Sequence, residues 1–464
     1  MRYLPLLALS ILFLSACTSA DSDADLIIRN ASIIDIASGE ITEDQMIGIA
    51  GDTIQWIRSM EDEGLVASAK SFDARGGFVM PGLWDMHVHF RGGDTLIQEN
   101  KNLLPLFLAY GVTTVRDAGG DITPAVMDWK KQIAGGNLAG PTIFTSGPKL
   151  DGERPGWPGS IRVVEPEDVD DALDSLESLG VDYVKMYDGS LSAQRYYDLI
   201  AEAEARGLKT TGHMPMSADI LEGIERGLDG TEHLYYVLKA CSPFADSLTT
   251  AGMGYGMLPI ITATYDPALA DSVYGIMAER DVYVTPTMHI GETLAQLAEV
   301  DHSDDAMLAY IGPGIQNTYQ GRLRSAIRAA ETGNTSRADF VARTKTMLKP
   351  MYDAGVPIVA GSDCGPFNSF VYPGLSIHQE LQQFVDSGLS PREALETATR
   401  TGPVFFGRTD DYGAVAPGKV ADLLILERNP LENIANTRSI QAVVKAGVLR
   451  DQPDLDVLLQ GVRY

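Results

Sequence analysis

Between residues 81 and 411 the chain repeats one pattern: a short β-branched and apolar run, a turn, then a helix-like stretch rich in Ala, Leu and Glu. Strand-like runs fall at 85–89, 111–117, 142–146, 181–187, 208–213, 230–233, 282–287 and 356–363. Helical spacing separates them, clearest over 166–179, 192–206 and 217–226. Eight alternating units predict an α/β protein whose parallel strands close into a (β/α)8 TIM barrel. The rival is an open doubly wound sheet, which wants a phosphate-binding glycine fingerprint after an early strand. None is present: Gly252-x-Gly254-x-Gly256 lies in a loop-like insertion, and no P-loop occurs. The extra length sits after the sixth and seventh strands, at 236–280 and 290–354, where a barrel places lid and pocket residues.

The two ends of the chain read differently. Over 26–80 and again over 412–450, short β-branched runs alternate with Gly, Asp and Asn, as small antiparallel strands do. Both ends are therefore expected in one composite β-sandwich, leaving 81–411 as the barrel. Before them, Met1-Arg2-Tyr3 and the apolar run from Leu4 to Phe13 have the form of a signal peptide, too short for a stable membrane span. Leu14-Ser15-Ala16-Cys17 resembles a bacterial lipoprotein cleavage box, which makes 1–17 the signal, Cys17 the lipidated residue and Ser/Asp-rich 18–25 a tether. The expectation is an exported, periplasmic, membrane-anchored protein. Cys241 and Cys364 alone remain, so no disulfide framework is expected. A net charge of −27 without a basic run excludes nucleic acid as a partner.

Chemistry in a barrel collects at the C-terminal ends of strands. The chain has seven histidines. His87 and His89 end the first strand, on the face they share with Asp85; His213 ends the fifth and His233 the sixth. Lys185 falls near the end of the fourth strand and Asp363 ends the last. Two imidazoles on one rigid strand form a metal-binding wall. His289, after the seventh strand, is a weaker candidate that would touch substrate, whereas His302 and His378 lie in polar, helix-like surroundings.

The string Pro81-Gly82-Leu83-Trp84-Asp85-Met86-His87-Val88-His89 resembles the first-strand motif of the amidohydrolase superfamily. Gly111-Val112-Thr113-Thr114-Val115-Arg116-Asp117, Val184-Lys185, Gly361-Ser362-Asp363 and Pro417-Gly418-Lys419-Val420-Ala421-Asp422-Leu423 are similar to its later motifs, in order. Among subgroups, the imidazolonepropionase-related and Xaa-Pro dipeptidase-like enzymes are nearest. The resemblance implies a binuclear site for two divalent ions, Zn by expectation. His87, His89 and Asp363 would hold one, His213 and His233 the other, and an N-carboxylated Lys185 would bridge them with a hydroxide. It also implies Asp363 as acid and base, and Asp85 as a carboxylate that orients the ligands. Lysine chemistry agrees: a desolvated, neutral Lys185 can react with carbon dioxide and present a carboxylate.

The substrate is less legible. Arg116, Arg154, Trp157 and Tyr187 follow strands two to four, where an Arg could fork a substrate carboxylate and Tyr187 could donate to a tetrahedral oxyanion. The strand-three loop, 152–159, lacks the Gly-His pair common in dipeptidase-like relatives. The expected reaction is cleavage of an amide in an N-acyl amino acid or dipeptide, by an enzyme that assembles with copies of itself. A lactonase or phosphotriesterase-like activity on the same site, and a non-catalytic surface binding protein, are the alternatives.

Overall fold

The computed structural model describes residues 24–65 and 70–464. The signal, Cys17 and nearly all of the tether lie outside the described residues.

The two chain ends meet in one mixed, eight-stranded sheet. Leu26–Ile34 lies inside it, antiparallel to Ile41–Ala50 and parallel to both Lys70–Asp73 and Phe78–Pro81. Phe78–Pro81 then runs antiparallel to Leu423–Leu426 with Met80 opposite Leu424, and Ile440–Lys445 and Val448–Asp451 extend the edge. The joint is apolar because the inward positions of sequence-distant strands are: Ile28, Ile47, Val79, Leu423, Ile425 and Val444 form one buried cluster. The pairing is thus continuous across both ends, and two of its ladders are parallel where the spacing suggested antiparallel strands.

Parallel ladders follow, in a TIM-barrel-like α/β arrangement. We number their strands β1 (Leu83–Val88), β2 (Val112–Asp117), β3 (Thr142–Thr145), β4 (Val184–Met186), β5 (Thr210–Gly212), β6 (Gly230–Glu232) and β7 (Tyr283–Thr285). β1 pairs with β2 and β2 with β3; β4 pairs with β5, and β6 with β7. Asp182 N–H donates to Thr145 C=O at 2.8 Å, tying the entry of β4 to β3. Residues 356–363, expected as an eighth strand, form only isolated parallel bridges, Ile358 to Val284 and Cys364 to Val88. They still span the gap between β7 and β1, and Asp363 N–H donates to His87 C=O at 2.7 Å. At the end of this run Asp363 takes a left-handed φ of 56°, which interrupts the extended backbone. No ladder joins β5 to β6 among the described residues; instead the Asp229 carboxylate accepts from Thr210 N–H at 2.8 Å.

The expected helices are present, at Asp168–Leu179, Ala193–Ala205 and Ile220–Glu225. Ser192 caps the second by accepting from Arg195 N–H, and Gly180 ends the first in the left-handed conformation. Both long insertions fold as helices, among them Met288–Gln296, Pro313–Glu331 and Ser336–Asp353. They roof the C-terminal ends of the strands, as their position in the sequence predicted. No described helix is long and apolar enough to cross a membrane.

Candidate metal centre and its cavity

Alternation along β1 sends Asp85, His87 and His89 to one face. Their partners arrive from the far side: Asp363 Oδ1 lies 3.1 Å from His89 Nε2 and 3.5 Å from His87 Nε2. The Nε2 atoms of His87 and His89 are 3.3 Å apart, and one ligand atom from each of His87, His89 and Asp363 falls within 4.8 Å of the others. A second pair stands beside this one. His213 and His233 bring their Nε2 atoms to 3.1 Å, and the His233 ring centroid is 5.2 Å from that of His87. Gly212 makes the turn into His213 possible: its φ is 139°, and a Cβ there would stand 2.2 Å from Met186 C=O.

Every Nδ1 of the four is taken by an acceptor. His87 Nδ1 meets Glu232 at 2.6 Å, His89 Nδ1 meets Gly119 C=O at 3.2 Å, His213 Nδ1 meets Asp188 at 3.1 Å and His233 Nδ1 meets Thr287 Oγ1 at 2.5 Å. That arrangement fixes the proton on Nδ1 and leaves four Nε2 lone pairs facing one another. Burial favours the neutral ring at three of them, lowering His87 to about 3 and holding His89 and His233 well below the usual imidazole range. Lone pairs converging at these separations repel unless a cation lies between them, so the donor set fits divalent metal.

Lys185 is buried below the histidines with its Nζ 3.6 Å from Glu232 and without a hydrogen-bond partner among the described residues. Burial lowers it to about 8, despite the attraction of Glu232. A buried amine whose proton is held less tightly than a free lysine's matches the chemistry required for carboxylation. Asp85, as expected, orients rather than lines: it accepts from Ser362 N–H at 2.8 Å and Ser362 Oγ at 2.6 Å, locking β1 to the segment that carries Asp363.

Glu232 is the residue that sequence reasoning missed. It carries His87 on one oxygen and Arg116 and Thr211 on the other, at 2.6, 2.7 and 2.9 Å. Burial pushes its carboxyl up, but Arg116, Lys185 and His87 outweigh this and hold it well below the ordinary range. The available signal was its place directly before His233 at a strand end. Arg116 is correspondingly corrected. It was expected to meet substrate, yet its guanidinium is buried and spent on Glu232, Thr285 and Met86 C=O, because position 116 of β2 faces the interior under the histidines.

Above the histidines opens a cavity of about 440 Å³. Tyr187 and Trp157 line it as expected, Tyr187 with its ring 4.5 Å from His213. Arg154 does not: it is exposed on the loop, held by its backbone N–H to Ser190 Oγ. His289 also lies elsewhere. Met288, Gly291 and Leu294 face the main cavity, so helical spacing turns His289, Glu292, Thr293 and Gln296 toward a separate one of about 380 Å³. Unanticipated wall residues are Arg91, Asp188, Tyr255 and Arg322; Asp188 receives hydroxyls from Tyr236 and Tyr255 while orienting His213.

Imidazoles, a carboxylate and a buried lysine at the C-terminal ends of parallel strands define the site class of TIM-barrel-like α/β hydrolases. A model of the amidohydrolase family matches residues 78–450, and the chain belongs to that family, hydrolases acting on C–N bonds. Among curated relatives, ochratoxinase of Aspergillus niger is 22% identical over 81% of this chain and 76% of its own. Adenine deaminase 3 of Rhizobium meliloti is 23% identical over 93% of this chain and 60% of its own. Among solved structures, a bottromycin amidohydrolase superposes with a TM-score of 0.74 at 22% identity, covering 96% of this chain and 92% of that one. A Xaa-Pro dipeptidase with bound methionine gives 0.68 at 20% identity, covering 92% and 99%.

Proposed function

We propose that the chain is a binuclear metal-dependent hydrolase that cleaves the amide bond of an N-acyl amino acid or dipeptide. The observation that carries this reading is the meeting of the His87 and His89 Nε2 atoms at Asp363, with the His213 and His233 Nε2 atoms paired beside them, above a buried lysine whose Nζ makes no hydrogen bond among the described residues. His87, His89 and Asp363 would hold one ion and His213 and His233 the other. The Lys185 Nζ lone pair would add to carbon dioxide, the N–C bond forming as one C=O π bond opens onto oxygen and the ammonium proton is released to solvent, and the resulting carbamate would supply a further anionic ligand. Bound there, divalent ions polarise a carbonyl and make water a nucleophile at neutral pH.

The chain's own groups supply the proton traffic. Asp363 takes the proton of the attacking water and returns it to the departing nitrogen. Asn368 Nδ2 donates to Asp363 Oδ1 at 2.7 Å and holds the carboxylate for that task. Tyr187 donates to the carbonyl oxygen as charge develops there. The reading includes closure of the parallel strands into a (β/α)8 barrel over 81–411, a composite sandwich from 26–80 and 412–450, and export as a lipoprotein anchored at Cys17.

The reading is supported by kin named for amide and C–N chemistry, the ochratoxinase, amidohydrolases and deaminases of these comparisons. A turnover panel tests it: dipeptides and N-acyl amino acids should be hydrolysed in preference to lactones and aryl phosphotriesters. Turnover confined to the latter two would replace the amide reading with the rival one.

A further inference from the structure

The second cavity, of about 380 Å³, has no part in the metal centre. The helix Met288–Gln296 is the wall between the two: Met288, Gly291 and Leu294 face the metal cavity, while His289, Thr293 and Gln296 face this one. Leu375–Asp386 packs against that helix and supplies Gln379, Gln382 and Gln383. No lysine or arginine is among the described residues that line the space.

Most polar groups of this wall already have partners. Glu292 accepts from Lys345 Nζ at 2.7 Å and from Gln296 Nε2 at 2.6 Å. Thr293 Oγ1 donates to His289 C=O at 3.0 Å, Gln382 Nε2 donates to Asp386 at 2.9 Å, and His302 Nδ1 meets Asp305 at 2.8 Å. Three atoms are left over. His289 Nε2, Gln379 Oε1 and Gln383 Oε1 are buried and make no hydrogen bond among the described residues. His289 is only 9% exposed, and burial lowers it to about 4, so its ring is neutral. With the proton on Nδ1, its Nε2 is an acceptor like the two amide oxygens. Gln379 and Gln383 stand one turn apart, on one face of their helix.

A buried acceptor without a donor is costly, and a donor arriving beside it relieves that cost. The terminal torsions of Gln and His are broad, so each of the three acceptors can turn to meet a donor that enters the cavity. A primary ammonium brings three N–H donors and no acceptor, which matches the set in number and in kind; a hydroxyl brings one donor and a carboxylate none. Its charge also suits a wall without Lys or Arg in a chain of net charge −27. We infer that the second cavity is a binding site for a small primary ammonium, held by His289, Gln379 and Gln383. The site is separate from the metal centre and stands whether or not the amide reading does.

Ligand-observed NMR titration of the full chain with n-butylammonium, n-butanol and pentanoate tests the site, since the three probes share one butyl stem. The ammonium should bind at least about tenfold more tightly than either of the others, because charge-assisted hydrogen bonds are the stronger ones. Gln383→Leu removes one acceptor and should weaken the ammonium at least about fivefold. Gln383→Glu keeps the shape, adds a negative charge and should tighten it by about the same factor, which keeps the site testable if Gln383→Leu fails to fold. Binding that responds to neither substitution places the ammonium elsewhere, in the metal cavity included, and overturns the site. Equal affinity for the alcohol or the acid, or no detectable ammonium binding, would overturn it as well.

Discussion

At the scale of single residues, the site is a set of neutral donors kept in register by charged ones. The histidines and Asp363 were legible because each ends a predicted strand, and strand ends are where barrel chemistry sits. Glu232 was not, because a carboxylate beside a histidine in sequence carries no sign of which way it faces. Arg116 shows the same limit from the other side. Its position in β2 is the same whether it reaches up to substrate or inward to Glu232, and only the fold decides. Two substitutions separate these roles. Asp363→Asn should lower kcat by about 10²–10⁴-fold with a near-parental melting temperature, since it removes a proton carrier and keeps the volume. Near-normal turnover would end its role as base. Glu232→Gln should do the reverse in emphasis. It leaves the buried Arg116 guanidinium without a counter-charge, at a cost of about 3–5 kcal/mol read from denaturant unfolding. Because it also orients His87, metal affinity should weaken about 10–100-fold. Unchanged unfolding would show that Arg116 finds another partner.

At the scale of elements, strand positions survived better than strand lengths. The run at 181–187 contracts to Val184–Met186, and 356–363 keeps its place through isolated bridges and ends at left-handed Asp363. His289 illustrates why helix phase is hard to read near a terminus. The helix Met288–Gln296 begins one residue before it, and a shift of one position turns a side chain through about 100°. The same helix end makes a pH prediction. Glu380, on Leu375–Asp386, accepts the N–H groups of Met288 and His289 at 2.8 and 2.6 Å. Burial pushes this carboxyl up from 4.5 to about 8, so the folded protein binds its proton more tightly than the unfolded chain. Its contribution to stability is complete below 4.5 and is lost as pH rises toward 8. Glu380→Gln, which cannot titrate, should reduce the drop in melting temperature between about pH 5 and about pH 8.5. A variant with the parental pH dependence would assign that drop to other groups.

At the scale of the whole molecule, the two chain ends and the catalytic face serve one another. Phe78–Pro81 belongs to the eight-stranded sheet and hands directly to β1, so the segment that closes the sheet also aims His87 and His89. The helical insertions, whose length the sequence showed but whose contents it did not, bring Arg322 and Phe340 over the same face. The chain thus assembles its site from residues almost three hundred positions apart, and the converging donors form a cluster that could hold metal. Metal stoichiometry of the purified full-length protein, by inductively coupled plasma mass spectrometry after loading with zinc and bicarbonate, tests this most directly. The donor set predicts two ions per chain. A plateau at one ion or fewer, with the protein folded, would contradict the binuclear centre.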